Sequence, residues 1–262
     1  MKQKVLIKGA GEQASAVAHR LFKCGCQVVM TEIEKPTAVR RRVCFSTAVY
    51  DGEIEIEDVC GKLGVDGSMG QWVEGKEKHV FVLVDPTCQI KETYKPDVII
   101  DARILKKNLD NTISDAPLTI ALGPGIEAGK DVHYVVETNR GHDLGRIILH
   151  GMAAPDTKIP GNISGFTNER VLRAPDSGLF TLEHDIGNTV NIGAVVGRVN
   201  NTEVKTEIAG VIRGILPTGL VVVANQKLGD IDPRGHISYC DTISDKARCI
   251  SGSVLELVLR SA

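Results

Sequence analysis

Two rhythms of apolar residues alternate along the first part of the chain. Short apolar runs of strand length recur at Lys4–Ile7, Gln27–Thr31, Val80–Val84, Val98–Asp101, Leu118–Leu122 and Val132–Glu137. After the first of these, Ala14, Val17, Ala18 and Leu21 fall at i, i+3, i+4 and i+7, which predicts a helix over Gln13–Cys24. A further helix is expected from Pro36, because proline suits a first helical turn. Such alternation predicts parallel strands joined by crossovers, hence an α/β sheet covered on both faces. Residues 52–79 mix Gly, Asp, Glu and Lys and read as one strand and an exposed loop.

Ala154–Asn162 (APDTKIPGN) is rich in turn-forming residues and reads as a domain edge, dividing the chain into 1–160 and 161–262. Beyond it, strands become short and turns frequent. A shift of 32 residues aligns Leu172 with Val204, Arg173 with Lys205, Gly178 with Gly210 and Leu179 with Val211. The same shift aligns Gly187 with Gly219, Val190 with Val222, Val196 with Leu228, Gly197 with Gly229 and Val199 with Ile231. A unit this small cannot bury its apolar face alone, so two copies over about 170–232 would pack by a pseudo-twofold into a closed β-sandwich. The pattern resembles the barrel-sandwich hybrid, or biotinyl/lipoyl-like, folds. Carrier members of that class bear a lysine at the hairpin joining the halves. Here the joint is Asn200-Asn201-Thr202-Glu203, and Lys205 is merely the repeat partner of Arg173, so a swinging-arm carrier is rejected. Binding, positioning, dimerisation or a purely structural role remain for this part.

The tail opens on the turn Asp232-Pro233-Arg234-Gly235. Ser244 is a candidate N-cap, and Asp245 suits the positive end of a following helix. Leu255, Leu257, Val258 and Leu259 are expected to be buried, in helix or in strand. The expected fold class is therefore α/β: a Rossmann-like parallel sheet domain, then a small all-β barrel-sandwich-hybrid domain with a pseudo-twofold repeat.

Composition narrows the function. The 262 residues are 42% hydrophobic and 24% charged, enough for a real core and against disorder. Net charge is −2 and aromatics are 4%, so there is neither a basic field nor a stacking platform for nucleic acid. The longest apolar runs are strand-sized, which predicts no membrane span. The first eight residues (MKQKVLIK) enter a strand at once, so no signal peptide is expected. Seven scattered cysteines predict free thiols in a reducing, cytoplasmic setting.

The chemistry gathers at expected strand ends. Gly9-Ala10-Gly11-Glu12-Gln13-Ala14 follows a strand and opens a helix. There Gly9 would permit the tight turn, Gly11 the approach of a diphosphate, and Ala14 close packing of helix on sheet. Glu32, 23 residues after Gly9, would hold a ribose 2′-hydroxyl and repel a 2′-phosphate, favouring NAD over NADP. Glu12 disagrees, since it sets a negative charge beside the proposed phosphate; a turn that binds no nucleotide is the alternative. Arg40-Arg41-Arg42 on the expected second helix is either an anion clamp or a solvated face. Gly123-Pro124-Gly125, the polar set Glu137, Asn139, Arg140, His142 and Asp143, and Asp101 with Arg103 would share one edge if their strands run parallel. His142 is the candidate acid/base group. Glu137, His142, Asp143 and His133 lack established metal-ligand spacing, and no metal site is expected. Cys24 and Cys26 form a weak C-x-C pair, while Cys44, Cys60, Cys88 and Cys249 read as small apolar residues. Cys240, among polar neighbours near an expected helix start, is the best candidate for a reactive thiol.

Taken together, Val5–Gly11 (VLIKGAG), Ala38–Tyr50 (AVRRRVCFSTAVY), Gly123–Gly125, Val136–Arg146 (VETNRGHDLGR), Asp232–Gly235 (DPRG) and Thr242–Leu255 (TISDKARCISGSVLE) resemble the selenium-dependent molybdenum hydroxylase system protein family. The resemblance implies an accessory protein that matures such a hydroxylase, handling a molybdopterin dinucleotide-type cofactor or equipping it with selenium. It would bind the cofactor through Gly9, Gly11, Arg40–Arg42, Gly123, Gly125 and the Asn139–Asp143 loop, with Cys240 as a transient selenium or sulfur acceptor and the hydroxylase as partner. Two alternatives stand beside it. One is an NAD-dependent oxidoreductase using His142, Lys106 or Lys107 as acid/base. The other is a non-catalytic scaffold that recruits the hydroxylase or forms a homodimer.

Overall fold

The molecule is described by a computed structural model covering residues 3–64 and 79–261. The described residues fall into two units. The first takes in Met1–Pro36, Cys44–Thr157 and Ile243–Ala262; the second takes in Thr37–Val43 and Lys158–Thr242. The chain thus leaves and re-enters the first unit, so the division is not a single cut at residue 160.

In the first unit the strands are β1 (Lys4–Lys8), β2 (Gln27–Glu32), β3 (Glu53–Ile56), β4 (Val59–Leu63), β5 (Val80–Val84), β6 (Val98–Asp101), β7 (Leu118–Leu122), β8 (Tyr134–Val136) and β9 (Ile147–Ile148). Its helices are α1 (Glu12–Lys23), α2 (Ala48–Asp51), α3 (Lys91–Tyr94) and α4 (Asp245–Arg260). The strands form one nine-stranded sheet in the order β3-β4-β5-β2-β1-β6-β7-β8-β9. From β4 to β8 neighbours run parallel. At the two margins β3 and β9 pair antiparallel with β4 and β8. Val5, Leu6, Ile7, Ile100, Ile120 and Leu122 are fully buried, which explains why the central strands read as unbroken apolar runs.

The expected Rossmann-like parallel domain is corrected on two counts. The sheet is mixed, and its crossovers are mostly not helices. Among the described residues only β1–β2 is joined by a long helix; β5–β6 has the four-residue α3, and β6–β7 a single 3₁₀ turn, Ile113–Asp115. Strand runs alone do not make a doubly wound sheet, which also needs helix-length 3.6-residue periodicity between them. The helix expected from Pro36 is absent, replaced by 3₁₀ turns at Arg41–Val43 and Phe45–Thr47. Residues 52–64 form the β3–β4 hairpin; the rest of the expected loop, 65–78, lies outside the described residues.

The tail is helical. Ser244 caps α4, its Oγ accepting from the Ala247 amide at 3.3 Å. Ala247, Ile250, Val254, Leu257 and Val258 are buried on one stripe, and α4 packs against α1. Leu259 lies outside that stripe and is 63% exposed, against expectation.

The second unit carries β10 (Val171–Arg173), β11 (Gly178–Leu182), β12 (Thr189–Val190), β13 (Val195–Val199), β14 (Thr202–Lys205), β15 (Gly210–Ile215), β16 (Val221–Val222) and β17 (Lys227–Asp232). They form two antiparallel sheets, β10-β17-β15-β12 and β14-β13-β11-β16. The 32-residue shift carries β10 to β14, β11 to β15, β12 to β16 and β13 to β17 (Thr189 to Val221, for instance), and so exchanges the sheets. The paired glycines have a steric reason. A Cβ on Gly197 would lie 2.4 Å from the Thr181 carbonyl oxygen, and one on Gly229 would lie 2.4 Å from the Gly214 oxygen. Phe180, Val196, Ile212, Leu228 and Ile231 fill the core. This arrangement replaces the expected biotinyl/lipoyl-like barrel. It is a pair of four-stranded sheets set within the run of the first unit, with Thr37–Val43 included, and does not follow a finished domain.

Candidate functional site

Strand order reverses at β1, with β2 on one side and β6 on the other. In sheets of parallel strands, ligands bind beyond the carboxyl ends at such a reversal. The glycine turn stands there. Gly9 has φ +92°, and its amide donates to the Thr31 carbonyl at 2.8 Å. Gly11 is the N-cap of α1 and lends no side-chain cap; a Cβ built on it meets nothing within 4 Å. Ala14, in the first turn, is fully buried against the sheet. The Glu32 carboxylate accepts from the Ala10 amide at 2.9 Å and the Ile33 amide at 2.8 Å, so it braces the turn. Glu12, the residue that disagreed with a phosphate here, accepts from Ser244 Oγ at 2.8 Å, which ties it to the start of α4.

The ends of β6 and β7 are used by the protein itself. Asp101 is 1% exposed and accepts from the Arg103 amide and Nε at 3.1 Å, Arg103 Nη2 at 2.7 Å and Asn111 Nδ2 at 2.7 Å. Lys8 is equally enclosed, donating to Asn111 Oδ1 at 3.0 Å and Asp110 Oδ1 at 3.3 Å. The Arg103 guanidinium holds the Asp110 carboxyl below its ordinary range. A Cβ on Gly125 would lie 2.3 Å from the Lys106 carbonyl carbon, and one on Gly123 would lie 2.7 Å from Thr138 Oγ1. These two glycines serve loop packing, and Asp101 serves the network of Arg103 and Asn111.

The loop after β8 hangs on Glu137. Its buried carboxylate accepts from the amides of Thr138, Asn139 and Ala154, each at 2.7 Å. Asn139, Arg140, His142 and Asp143 are exposed beyond it. Arg140 makes a two-pronged bond to Asp245, at 2.8 and 2.9 Å, and Asp143 pairs with Arg146 at 3.4 Å. His142 has no hydrogen-bond partner among the described residues, so nothing orients it as an acid/base group. Lys246, in the first turn of α4, was invisible to sequence reasoning and sits half-buried here. Burial, then the Arg140 charge, push its amine down from the usual lysine range, against Glu12, Glu137 and Asp245.

The arginine run and the favoured cysteine lie in the second unit and are corrected. Arg40 donates to the carbonyls of Tyr239 at 2.8 Å and Thr242 at 3.2 Å. Arg41 donates to the Ile215 carbonyl at 2.8 Å and pairs with Asp185. Arg42 reaches the Ile186 carbonyl at 2.6 Å and Asp241 at 3.2 Å. Arg40 and Arg41 brace the unit from within, while Arg42 is exposed and pairs with an exposed aspartate. Cys240 ends the 3₁₀ turn Ile237–Cys240, is 1% exposed, and points its thiol at the Ile212 carbonyl. Burial, then Asp241, push that thiol up, opposite to an activated nucleophile. Cys249, read as apolar, is exposed on α4, with Sγ 3.3 Å from the Leu144 carbonyl oxygen. All seven cysteines are free. Among the described residues no group of three metal-ligating side chains comes together, and no helix is long and apolar enough to cross a membrane.

With this geometry in hand, comparison with known proteins gives the following. No family model matches the chain. An uncharacterized protein of Escherichia coli strain K12, YqeB, is 44% identical over 257 residues, 98% of this chain and 47% of that protein. The chain therefore spans about half the length of the curated relative it matches. Among solved structures, an aspartoacylase family protein from Mesorhizobium loti has 15% identity and a TM-score of 0.29, covering 88% of this chain and 85% of that one. A succinylglutamate desuccinylase/aspartoacylase from Rhodobacter sphaeroides has 12% identity and a TM-score of 0.28 over the same shares.

Proposed function

We propose that this chain assists the maturation of a selenium-dependent molybdenum hydroxylase, holding a nucleotide-bearing cofactor of the molybdopterin dinucleotide type at the carboxyl rim of the first unit's sheet. The observation that carries this reading is the start of α1. Gly11 caps a twelve-residue helix with no side chain over it and open space where a Cβ would stand. Backbone amides at such a start attract a diphosphate, and any larger residue would fill the cradle. Glu12 does not spoil the fit, because Ser244 draws its carboxylate toward α4. Gly9 and Gly11 would hold the diphosphate, and Asn139 and Arg140 would supply polar contacts from the next loop. The resemblance over Val136–Arg146 and Thr242–Leu255 supports the assignment to hydroxylase maturation. The bound cofactor brings the molybdenum; this chain's residues bind and orient it.

An NAD-dependent oxidoreductase would share the diphosphate cradle, but the acid/base partner it needs is not assembled. His142 has nothing to orient it, and Lys106 is paired with Asp156 at 2.6 Å. The test is to co-express the hydroxylase with and without this chain and measure molybdenum and selenium per enzyme. The reading expects both to fall when the chain is absent; equal contents contradict it.

A further inference from the structure

Large apolar side chains stand open to water around the carboxyl ends of β2 and β5. Ile33 is 43% exposed, Val84 45% and Tyr50 41%. Register and hydrogen bonds place them at one corner of the rim. Glu32 lies opposite Val84 in the parallel β2–β5 pair, and the Asp85 amide donates to the Glu32 carbonyl at 3.0 Å, so Ile33 and Val84 stand at adjacent strand ends. Tyr50 belongs to α2, which packs against β5, and its hydroxyl donates to the carbonyl of Pro36, three residues past Ile33, at 2.8 Å. Burial, then the Glu32 charge, push that hydroxyl above its ordinary range.

This corner adjoins the glycine turn. The Glu32 carboxylate is bonded to both the Ala10 and the Ile33 amides, and the Ser46 amide, just before α2, donates to the Ala10 carbonyl at 3.0 Å. In a nucleotide one ribose separates base from phosphate; here one side chain, Glu32, lies between the turn and Ile33. Exposed apolar residues scattered singly are ordinary on a protein surface, whereas several gathered beside a polar cradle have the make-up of a cofactor site. A tyrosine ring stacks on any base, and the bond to Pro36 already restrains this one, which lessens the entropy lost on binding.

We infer that Ile33, Val84 and Tyr50 form the seat for the nucleobase of a nucleotide-type ligand, as apolar walls beside the diphosphate cradle. The inference rests on the cofactor-binding reading above and adds to it the end of the ligand that the glycine turn does not hold.

The test is calorimetric titration of the full chain with ADP, GDP and CDP, and with pyrophosphate, which lacks a base. Wild type, the double variant Ile33→Ser/Val84→Ser, Tyr50→Ala, Tyr50→Phe and Gly11→Val are compared, each checked for an unchanged melting curve. Wild type should bind the tightest of the three nucleotides about tenfold more strongly than pyrophosphate. The double variant and Tyr50→Ala should each lose most of that advantage while binding pyrophosphate within about twofold of wild type, and Tyr50→Phe should keep the nucleotide within about threefold. Gly11→Val should bind none of the probes. If wild type binds nucleotide and pyrophosphate equally, or if the double variant and Tyr50→Ala keep the full advantage, the base seat is overturned and the cradle stands. If wild type binds no probe, both fall.

Discussion

The second unit and the rim of the first gather arginines and acids, and they treat them in opposite ways. In the second unit Arg40, Arg41 and Arg42 end on the carbonyls of Tyr239, Thr242, Ile215 and Ile186 and on Asp185 and Asp241. Asp230 and Asp232 there are nearly fully enclosed and face Lys227, Arg170, Arg213 and Arg234. At that rim Arg140 is held at the surface by an exposed aspartate. The glycines divide likewise. Gly229 is required because another backbone lies against it, while Gly11 opens onto empty space. A dense cluster of charge is therefore no mark of a binding site. The informative groups are those the fold leaves uncommitted.

This contrast is sharpest in glycine substitutions. Gly229→Ala should destabilise the protein by about 3 kcal/mol, because its Cβ would meet a backbone oxygen that cannot step aside. Gly11→Ala should change stability by less than about 0.5 kcal/mol. Chemical denaturation reads both, and equal effects would erase the distinction. Next in size are the arginines. Arg40→Gln should cost about 2 kcal/mol, since it takes bonds from two carbonyls and leaves them in a largely buried place. Arg140→Gln should cost under about 1 kcal/mol, because its pair with Asp245 is exposed.

Acid should weaken the second unit's buried pairs more gently. Burial works against the charge on Asp230, but Lys227, Arg170 and Arg40 outweigh it and hold the carboxyl below its usual range. Asp232 is held low in the same way by Arg234 and Arg213. A depressed folded-state pKa gives stability that is fully present above the unfolded value, about 3.9, and is lost as pH falls through the folded one. Wild type should therefore be level above about pH 5 and weaken below about pH 4, with Asp230→Asn showing a shallower acid slope. Melting temperature against pH is the measurement; parallel slopes would contradict this role.

Much of the sheet was legible because its strands are local. Val80–Val84, Val98–Asp101 and Leu118–Leu122 were bounded by sequence alone, as unbroken apolar runs flanked by polar residues. The 32-residue repeat was legible for a similar reason, since symmetry preserves spacing. Long-range facts were not legible. Nothing local says that Thr37–Val43 joins strands more than 130 residues away, or that α4 returns to α1. Arg40–Arg42 read as either a clamp or a solvated face because its carbonyl acceptors, such as Ile215 and Tyr239, lie far along the chain. Cys240 looked reactive because its neighbours in sequence are polar, while its neighbours in space are the buried residues of the second core.

The most direct measurement is native mass spectrometry of the protein purified from its own host, alongside Gly11→Val prepared identically. The account predicts a phosphorylated small molecule on the wild-type chain, with its mass missing from the variant. Bare protein in both samples, or the same adduct on both, would contradict it.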